Sequence, residues 1–535
     1  MDLPVSGHSP TPPARRRIIL IGGLAVVVLA FNLWNREPDT SPDAGLNPVG
    51  TSEEYQRGER LSKLICSSCH LYTPPDLLDK VTWGMEILPA MAKKLGFHEG
   101  RYEDLGLPPR VHAAKIIPPV PTIRIEDWRA ICTYYLTAAP VAAAPPAARD
   151  PIKIGLKQFD VIQPEFRGAG DTTLLQIDAP HQRIFLGQRH EHDLVVLDPR
   201  GRRLSQTVLD SPPASLQVRA DGLYVTLMGS YTPSDELQGK VVLVPGSDSH
   251  EPARDLLTDL PRPVRTLVAD LNGDGKEDLL VCGFGNQLGS FSWFENRGNG
   301  RYVEHVLLDR PGAIAAEVHD FNHDGRPDLI VMMAQAREGI YIFYNQGNGE
   351  FSAPVPVVEH HAAWGSSYFE LVDFNHDGFM DILATNGDEG DHPRYLPPYK
   401  SFHGLRLYLN DGKNNFKEAW FYPMSGAYKA VARDFDGDGD LDIAAISFYP
   451  QYRTRPYESF VYLENLGGMK FTAYSFPEAL SGRWITMEVG DLDGDGRPDI
   501  VLGSMQTGAT LVPAALYERW KSDGPTLLIL KNHPH

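Results

Sequence analysis

Asp270–Asp278 (DLNGDGKED) recurs in the same frame as Asp320–Asp328 (DFNHDGRPD), Asp373–Asp381 (DFNHDGFMD), Asp434–Asp442 (DFDGDGDLD) and Asp491–Asp499 (DLDGDGRPD). A single acidic turn is common on protein surfaces. Five in one frame, 50 to 61 residues apart, are a repeat. Each places oxygen donors at positions 1, 3, 5 and 9 and a glycine at 6. The donors are Asp270, Asn272, Asp274 and Asp278, then Asp320, Asn322, Asp324 and Asp328, then Asp373, Asn375, Asp377 and Asp381. The last two loops offer Asp434, Asp436, Asp438 and Asp442, and Asp491, Asp493, Asp495 and Asp499. Hard oxygen donors wrapped in a short loop suit Ca²⁺, which takes six to eight oxygens. An EF-hand is excluded, because no Glu stands at position 12 and the flanks, such as TLVAD and DLLVCG, have strand length. About five Ca²⁺ are expected, and they would cancel ten of the chain's nineteen net negative charges.

Outward from each loop lies a second shared element: WFENRGNGRY from Trp293, FYNQGNGEF from Phe343, YLNDGKNNF from Tyr408 and YLENLGGMKF from Tyr462. These read as strand, Gly/Asn turn, strand. The unit is then four antiparallel strands, a propeller blade. Two units without metal loops, near Thr173–Leu209 and Ala214–Leu257, bring the expected blades to seven. The last repeat ends at TLLILKN (Thr526–Asn532) with one strand missing, and KIGLKQFDVI (Lys153–Ile162) is expected to supply it and close the ring.

The smaller chemical signal is Cys66-Ser67-Ser68-Cys69-His70. C-x-x-C-H is the attachment motif of c-type haem: one helical turn brings two thiols to one porphyrin edge, and the adjacent His reaches the iron. A redox C-x-x-C would sit in a βαβ context, and a zinc site would need a second ligand pair, which neither Cys132 nor Cys282 supplies. One covalent haem is expected at Cys66 and Cys69, with His70 as proximal ligand. EEYQRGERLSKLI before the motif reads as a helix with a Leu61, Leu64, Ile65 face, and IEDWRAICTYYL (Ile125–Leu136) as an aromatic closing helix. No Met precedes that helix in IIPPVPTI. Met91, in the amphipathic stretch WGMEILPAMAKKLG, is the favoured distal ligand, with Met85, His98 and His112 as alternatives, or Met91 simply packs the core.

Arg15, Arg16 and Arg17 precede the apolar run Ile18–Trp34, at the lower length limit for a membrane span. The arginines place the chain beyond Trp34 on the extracytoplasmic side of a bacterial inner membrane. A cleaved signal peptide gives the same compartment. The expected division is 1–34 tail and anchor, 35–53 linker, 54–139 haem domain, 140–152 Ala/Pro linker and 153–535 propeller. That linker is expected to let the two domains melt independently. Lys plus Arg is 50 against 69 for Asp plus Glu, so nucleic acid is an unsuitable partner.

The loop-bearing region resembles the FG-GAP/VCBS repeats of integrin-alpha-like propellers over roughly 380 residues, and residues 54–139 resemble a class I cytochrome c domain. The combination resembles exported bacterial FG-GAP-repeat cytochromes. That resemblance implies a multidomain fold, with a membrane helix, a small all-α haem domain and an all-β seven-bladed calcium propeller, and it carries no catalytic residue. The face opposite the calcium loops holds the long connections around Tyr395, Tyr399 and His403, around Tyr449, Tyr452 and Tyr457, and around Tyr517 and Trp520. Such loops suit recognition of a protein or carbohydrate. His190-Glu191-His192-Asp193 on that face reads either as a solvated turn or as a metal or base site. An electron-transfer and binding protein with a redox partner is therefore expected, rather than a defined catalyst. The alternative is a haem-coupled or polysaccharide-active enzyme working on the long-loop face.

Overall fold

The computed structural model describes residues 52–245, 252–389, 400–506 and 512–534. The arginine-flanked run at 18–34 lies outside them. Among the described residues no helix is long and apolar enough to cross a membrane.

Strands between Phe159 and Asn532 form seven blades of four antiparallel strands each, a seven-bladed β-propeller. Blades one and two, strands within 172–208 and 213–260, lack the aspartate loop. Blades three to seven begin with inner strands Pro263–Ala269, Ala313–His319, Ser366–Val372, Ala427–Arg433 and Trp484–Gly490. Each of these runs into its aspartate loop and returns as an apolar second strand. Those second strands, such as Asp328–Met333 and Asp442–Ser447, are buried along their whole length, because blades pack on both of their faces. Successive blades share apolar clusters: Phe291 and Trp293 pack with Val331 and Phe343, and Tyr462 packs with Trp484 and Leu530.

Ring closure is finer than the sequence implied. Only Phe159–Ile162 joins blade seven, antiparallel to Leu527–Asn532, with Phe159 opposite Asn532. Lys153 and Ile154 instead pair in parallel with Tyr474 and Ser475, as a fifth strand on blade six. The two short strands flank Gly155, whose positive φ of 127° turns the chain from one blade's outer edge toward the next.

Residues 53–138 are helical. Ser52 caps the Glu53–Ile65 helix by accepting the Tyr55 N–H. This helix crosses the closing Ile125–Ala138 helix at Gly58, where an added Cβ would lie 1.9 Å from the Ala130 carbonyl oxygen. That close approach sets the buried stripe, Gly58 and Ser62 flanked by Tyr55, Leu61 and Ile65, and turns Leu64 outward to 74% exposure. The expected Leu64 core contact is therefore wrong: the helix packs through its small residues. The next stretch is a π-helical turn, Trp83–Ile87, continuing as α-helix Leu88–Lys94, with Trp83 and Leu88 buried.

The helical unit does not hang free on its linker. Its core includes Phe402 of blade five, with Ala363 and Trp364 packed alongside Leu78, Trp83 and Tyr135. Arg110 donates to the Asp235 carbonyl at 2.5 Å, Lys94 to Gln287 at 2.9 Å and Arg337 to the Ser68 carbonyl at 3.4 Å. All of these propeller residues lie in connections on the face opposite the aspartate loops. The linker is fastened as well: Arg149 bonds Tyr422 and the buried Glu458 carboxylate. The long-loop face, read from sequence as a surface for outside ligands, is thus occupied over blades two to five by the chain's own helical unit.

Candidate functional site

Each aspartate loop is organised by its first and last carboxylates. Asp270 accepts the N–H groups of Gly273 at 2.8 Å and Gly275 at 2.9 Å; Asp491 does the same for Gly494 at 2.7 Å and Gly496 at 2.9 Å. The position-6 glycines have φ between 82° and 97°, the left-handed region that side chains disfavour. Position 9 is a buried hub. Asp328 takes the Phe321 N–H at 2.9 Å from its own loop and the Asn345 N–H at 2.7 Å from the third strand. The same pair of bonds recurs at Asp278, Asp381, Asp442 and Asp499.

This geometry brings carboxylates together. Oxygens of Asp434, Asp436 and Asp438 lie within 4.8 Å of one another, as do those of Asp491, Asp493 and Asp499. One Asp493 oxygen is buried without a hydrogen-bond partner. Burial pushes Asp442 up to about 7 and Asp499 up to about 6, and raises Asp278, Asp328 and Asp381 as well. All-oxygen donors with an orphaned buried carboxylate oxygen fit a hard divalent cation. The loops differ in local compensation. Lys276 pairs with Asp274 at 2.6 Å, and Arg326 and Arg497 pair with Asp324 and Asp495. Blade six has Asp440 at that position, so its aspartates at positions 1, 3, 5 and 9 have no such partner from within the loop.

The sequence reading passed over one recurring residue, the asparagine ending the third strand. Asn345 Nδ2 donates to the Pro327 carbonyl at 3.0 Å and to Leu271 of the preceding blade at 2.9 Å. Asn532 does the same to Pro498 at 3.2 Å and to Phe435 at 2.8 Å. Its signal was visible in the quoted hairpins, where Asn296, Asn345, Asn410 and Asn465 all precede the turn.

In the helical unit, Cys66–Ser68 is a 3₁₀ turn continuing the first helix, which brings both thiols and His70 to its end. His70 Nδ1 lies 2.9 Å from the Leu71 carbonyl oxygen, leaving Nε2 for a metal. Burial pushes the Cys66 thiol up and Cys132, beside it, up to about 12. Cys132 is a partly buried thiol on the closing helix. Tyr135 donates to the Thr73 carbonyl at 2.7 Å, and the Tyr72 and Tyr134 hydroxyls meet at 2.9 Å, fixing the aromatic wall around the motif. Of the distal candidates, Met85 is 56% exposed, and Met91 is half-buried. Both ring nitrogens of His98 are buried with no hydrogen-bond partner. The Tyr102 ring stands 4.8 Å from that of His112, and the Tyr102 hydroxyl donates to the His112 carbonyl. Two thiols and a His70 Nε2 left unengaged have the chemistry for covalent haem attachment.

The other sequence-singled residues on the long-loop face are mostly internal. Tyr452 is buried against Trp520, with ring centroids 5.4 Å apart, and His403 is buried 3.4 Å from Glu389, which also pairs with Lys400. Tyr449, Tyr457 and Tyr517 are half-buried, and Tyr395 and Tyr399 lie outside the described residues. In blade one, His190 pairs through Nδ1 with the buried Asp171, and Asp193 is sequestered by Gln188 and Gln206. The four residues from His190 to Asp193 do not converge on one metal.

The FG-GAP-like repeat family matches residues 270–331, 320–384 and 399–445. No curated protein matches the chain. Among solved structures, the Neurospora crassa Pan2 WD40 domain is similar at 10% identity and a TM-score of 0.44, covering 72% of this chain and 98% of that one. BBS1N in complex with ARL6DN, soaked with mercury, gives 8%, 0.42, 71% and 98% for the same measures. The Myceliophteria thermophila Cps50 (Swd1) β-propeller domain gives 11%, 0.41, 65% and 97%. The family match falls on blades three to six, so three segments, 270–331, 320–384 and 399–445, match FG-GAP-like repeats and lie in a seven-bladed β-propeller.

Proposed function

We propose that this chain is an extracytoplasmic c-type cytochrome, tethered through residues 18–34 to the bacterial inner membrane, with a calcium-stabilised propeller as its docking and binding module. The observation that carries the reading is the Cys66–His70 motif at the end of a capped helix, walled by Tyr72, Tyr134 and Tyr135. Haem c supplies one-electron exchange with a partner protein. Cys66 and Cys69 would hold its edge, and His70, oriented by the Leu71 carbonyl, would be the proximal ligand. For the distal position His98 is preferred over Met91, because its imidazole has no other partner. The aromatic wall covers one side of the motif, while Cys69 stays exposed, which would leave a haem edge open to a partner protein. Five aspartate loops would hold about five Ca²⁺, with the position-9 carboxylate joining each ion to the blade's first three strands. Glycan or protein ligands remain suited to the propeller connections that the helical unit does not contact.

A haem-coupled oxidoreductase is the second reading, favoured by the docking of the helical unit: Arg337 bonds the motif's own Ser68. A substrate held on that face would lie near the electron acceptor. Pigment retained on the polypeptide after acid–acetone extraction tests the primary reading, and freely extracted colour defeats it. Substrate-driven haem reduction by the purified protein separates the two.

A further inference from the structure

Most of the aspartate loops are bonded to the blade that follows them, and the residue at position 2 is the connector. Its N–H is held by the position-9 carboxylate of its own loop: Leu271 by Asp278 at 3.1 Å, Phe321 by Asp328 at 2.9 Å and Phe435 by Asp442 at 3.3 Å. Its carbonyl is held from the next blade. Asn345 donates to Leu271 at 2.9 Å, Asn414 to Phe321 at 2.9 Å and Asn532 to Phe435 at 2.8 Å.

From each of these asparagines the path enters another position-9 carboxylate. The Asn345 N–H is held by Asp328 at 2.7 Å, and that of Asn532 by Asp499 at 2.8 Å. Asn414 needs one more step: its N–H is held by the Asn410 side chain at 3.0 Å, and the Asn410 N–H by Asp381 at 2.8 Å. The carboxylates are thus joined in two runs. Asp278, Asp328 and Asp381 are linked across blades three to five, and Asp442 and Asp499 across blades six and seven.

The relay is broken between the runs. Among the described residues the Asn465 amide donates to Leu441 of its own blade, at 3.0 Å, and to no residue of blade five. There the contact is from loop to loop: His376 Nε2 donates to the Gly439 carbonyl at 3.1 Å. Gly439 is position 6 of the blade-six loop, and its N–H is held by Asp434 at 3.1 Å. This bond is exposed, so water competes for it and the joint is weak.

A position-9 carboxylate accepts two backbone N–H groups, so engaging it as a metal ligand also fixes the position-2 peptide. The neighbouring blade's asparagine is bonded to that peptide's carbonyl and is fixed with it. Ordering one loop therefore lowers the ordering cost of the next, which produces positive cooperativity without a change of shape.

We propose that the five aspartate loops take up Ca²⁺ as two cooperative groups, blades three to five and blades six and seven, each coupled through its asparagine relay. This rests on the calcium reading of the loops given above. Independent loops would fill over a wide span of calcium concentration, whereas grouped loops fill over a narrow one and make the ring respond steeply.

The test is hydrogen exchange, read by mass spectrometry, on the full-length protein across a calcium titration, giving a protection midpoint for each loop. Its readout is amide protection, so it does not depend on the haem. The loops of blades three, four and five are expected to share one midpoint, and those of blades six and seven another. Asp324→Ala, in the blade-four loop, is expected to raise the midpoints of the blade-three and blade-five loops at least fivefold. It should move those of blades six and seven less than twofold. Asn414→Gly keeps every loop carboxylate and suits the φ of 61° at that position. It is expected to part the blade-five midpoint from the blade-four midpoint at least fivefold, and it decides the matter if Asp324→Ala fails to fold. Calcium-dependent protection whose midpoints neither variant moves overturns the coupling and leaves the calcium reading standing. Loops that gain no protection at any calcium concentration overturn both.

Discussion

Asn345 reaches back from blade four to blade three, its side-chain amide donating to the Leu271 carbonyl at 2.9 Å while its own N–H is held by Asp328 at 2.7 Å. One residue thereby joins the position-9 carboxylate of its own loop to the loop of its neighbour. Asn532 makes the equivalent link to Phe435.

Replacing Asn345 with Ala leaves the Leu271 and Pro327 carbonyls without this donor in a buried setting, at an expected cost of about 1–3 kcal/mol. Asn296→Ala, at a half-buried position with no bond to the preceding blade, should cost about 1 kcal/mol or less. Urea unfolding of the two variants checks the ordering, and equal losses would deny the inter-blade bond any particular weight.

The calcium reading makes a pH prediction. Burial raises Asp442 to about 7 and Asp499 to about 6, above the ordinary 3.8 of an unfolded aspartate. Between those values the metal-free folded state binds more protons than the unfolded state. Its stability therefore falls as pH rises from about 4 through 7. Calcium binds the carboxylate form and would stabilise each site by about 2.7 kcal/mol at a hundredfold excess over Kd. The rise in melting temperature on adding calcium should therefore be larger at pH 8 than at pH 5. Calorimetry showing the same transition with calcium and with excess chelator would identify the loops as ordinary acidic turns.

Within the five loops, Asp438→Ala should cost most of its calcium-dependent stability, because no basic residue of its loop compensates the blade-six carboxylates. Asp274→Ala should cost less, since Lys276 already neutralises Asp274 at 2.6 Å. Calcium titrations of the two variants by calorimetry give the comparison.

Haem attachment predicts that Cys66→Ala combined with Cys69→Ala removes pigment that survives denaturing electrophoresis in the wild type. With His98 on the iron, His98→Ala should convert a low-spin ferric spectrum to high spin, and Met91→Leu should leave it unchanged. A near-infrared sulfur-to-iron band in the wild type, lost in Met91→Leu, would return the position to Met91.

Docking predicts coupled melting. Phe402 of blade five is 7% exposed inside the helical unit's core, so truncation to Ala should cost about 3–5 kcal/mol and loosen both parts. Chelation should perturb the haem spectrum at the temperature where the propeller melts. Two independent transitions would restore the separate-domain picture that the Ala/Pro linker implied.

The repeat was legible because five loops each carry the same steric and electrostatic demand: a left-handed glycine, a first carboxylate that caps N–H groups, and a buried last one. Ring closure was legible because a strand was missing. Docking was not, because Trp364 and Phe402 are single aromatics in irregular connections, with no period to mark them. Leu64 was misread because a helix contact at Gly58 favours small residues over large ones.

Phe159–Ile162 precedes every blade in the chain, yet its partner Leu527–Asn532 comes after all the others. The propeller is in this sense a clasp whose first half must wait while roughly 370 residues emerge, a loop whose closure costs about 5 kcal/mol in chain entropy. During that wait the helical unit is already made, and its seat at Trp364 and Phe402 appears before the clasp can shut. The order of synthesis thus makes the helical unit a brace for a half-built ring. Loss of the Leu527–Asn532 strand would leave blade seven with its two inner strands and Phe159–Ile162 with nothing to hold.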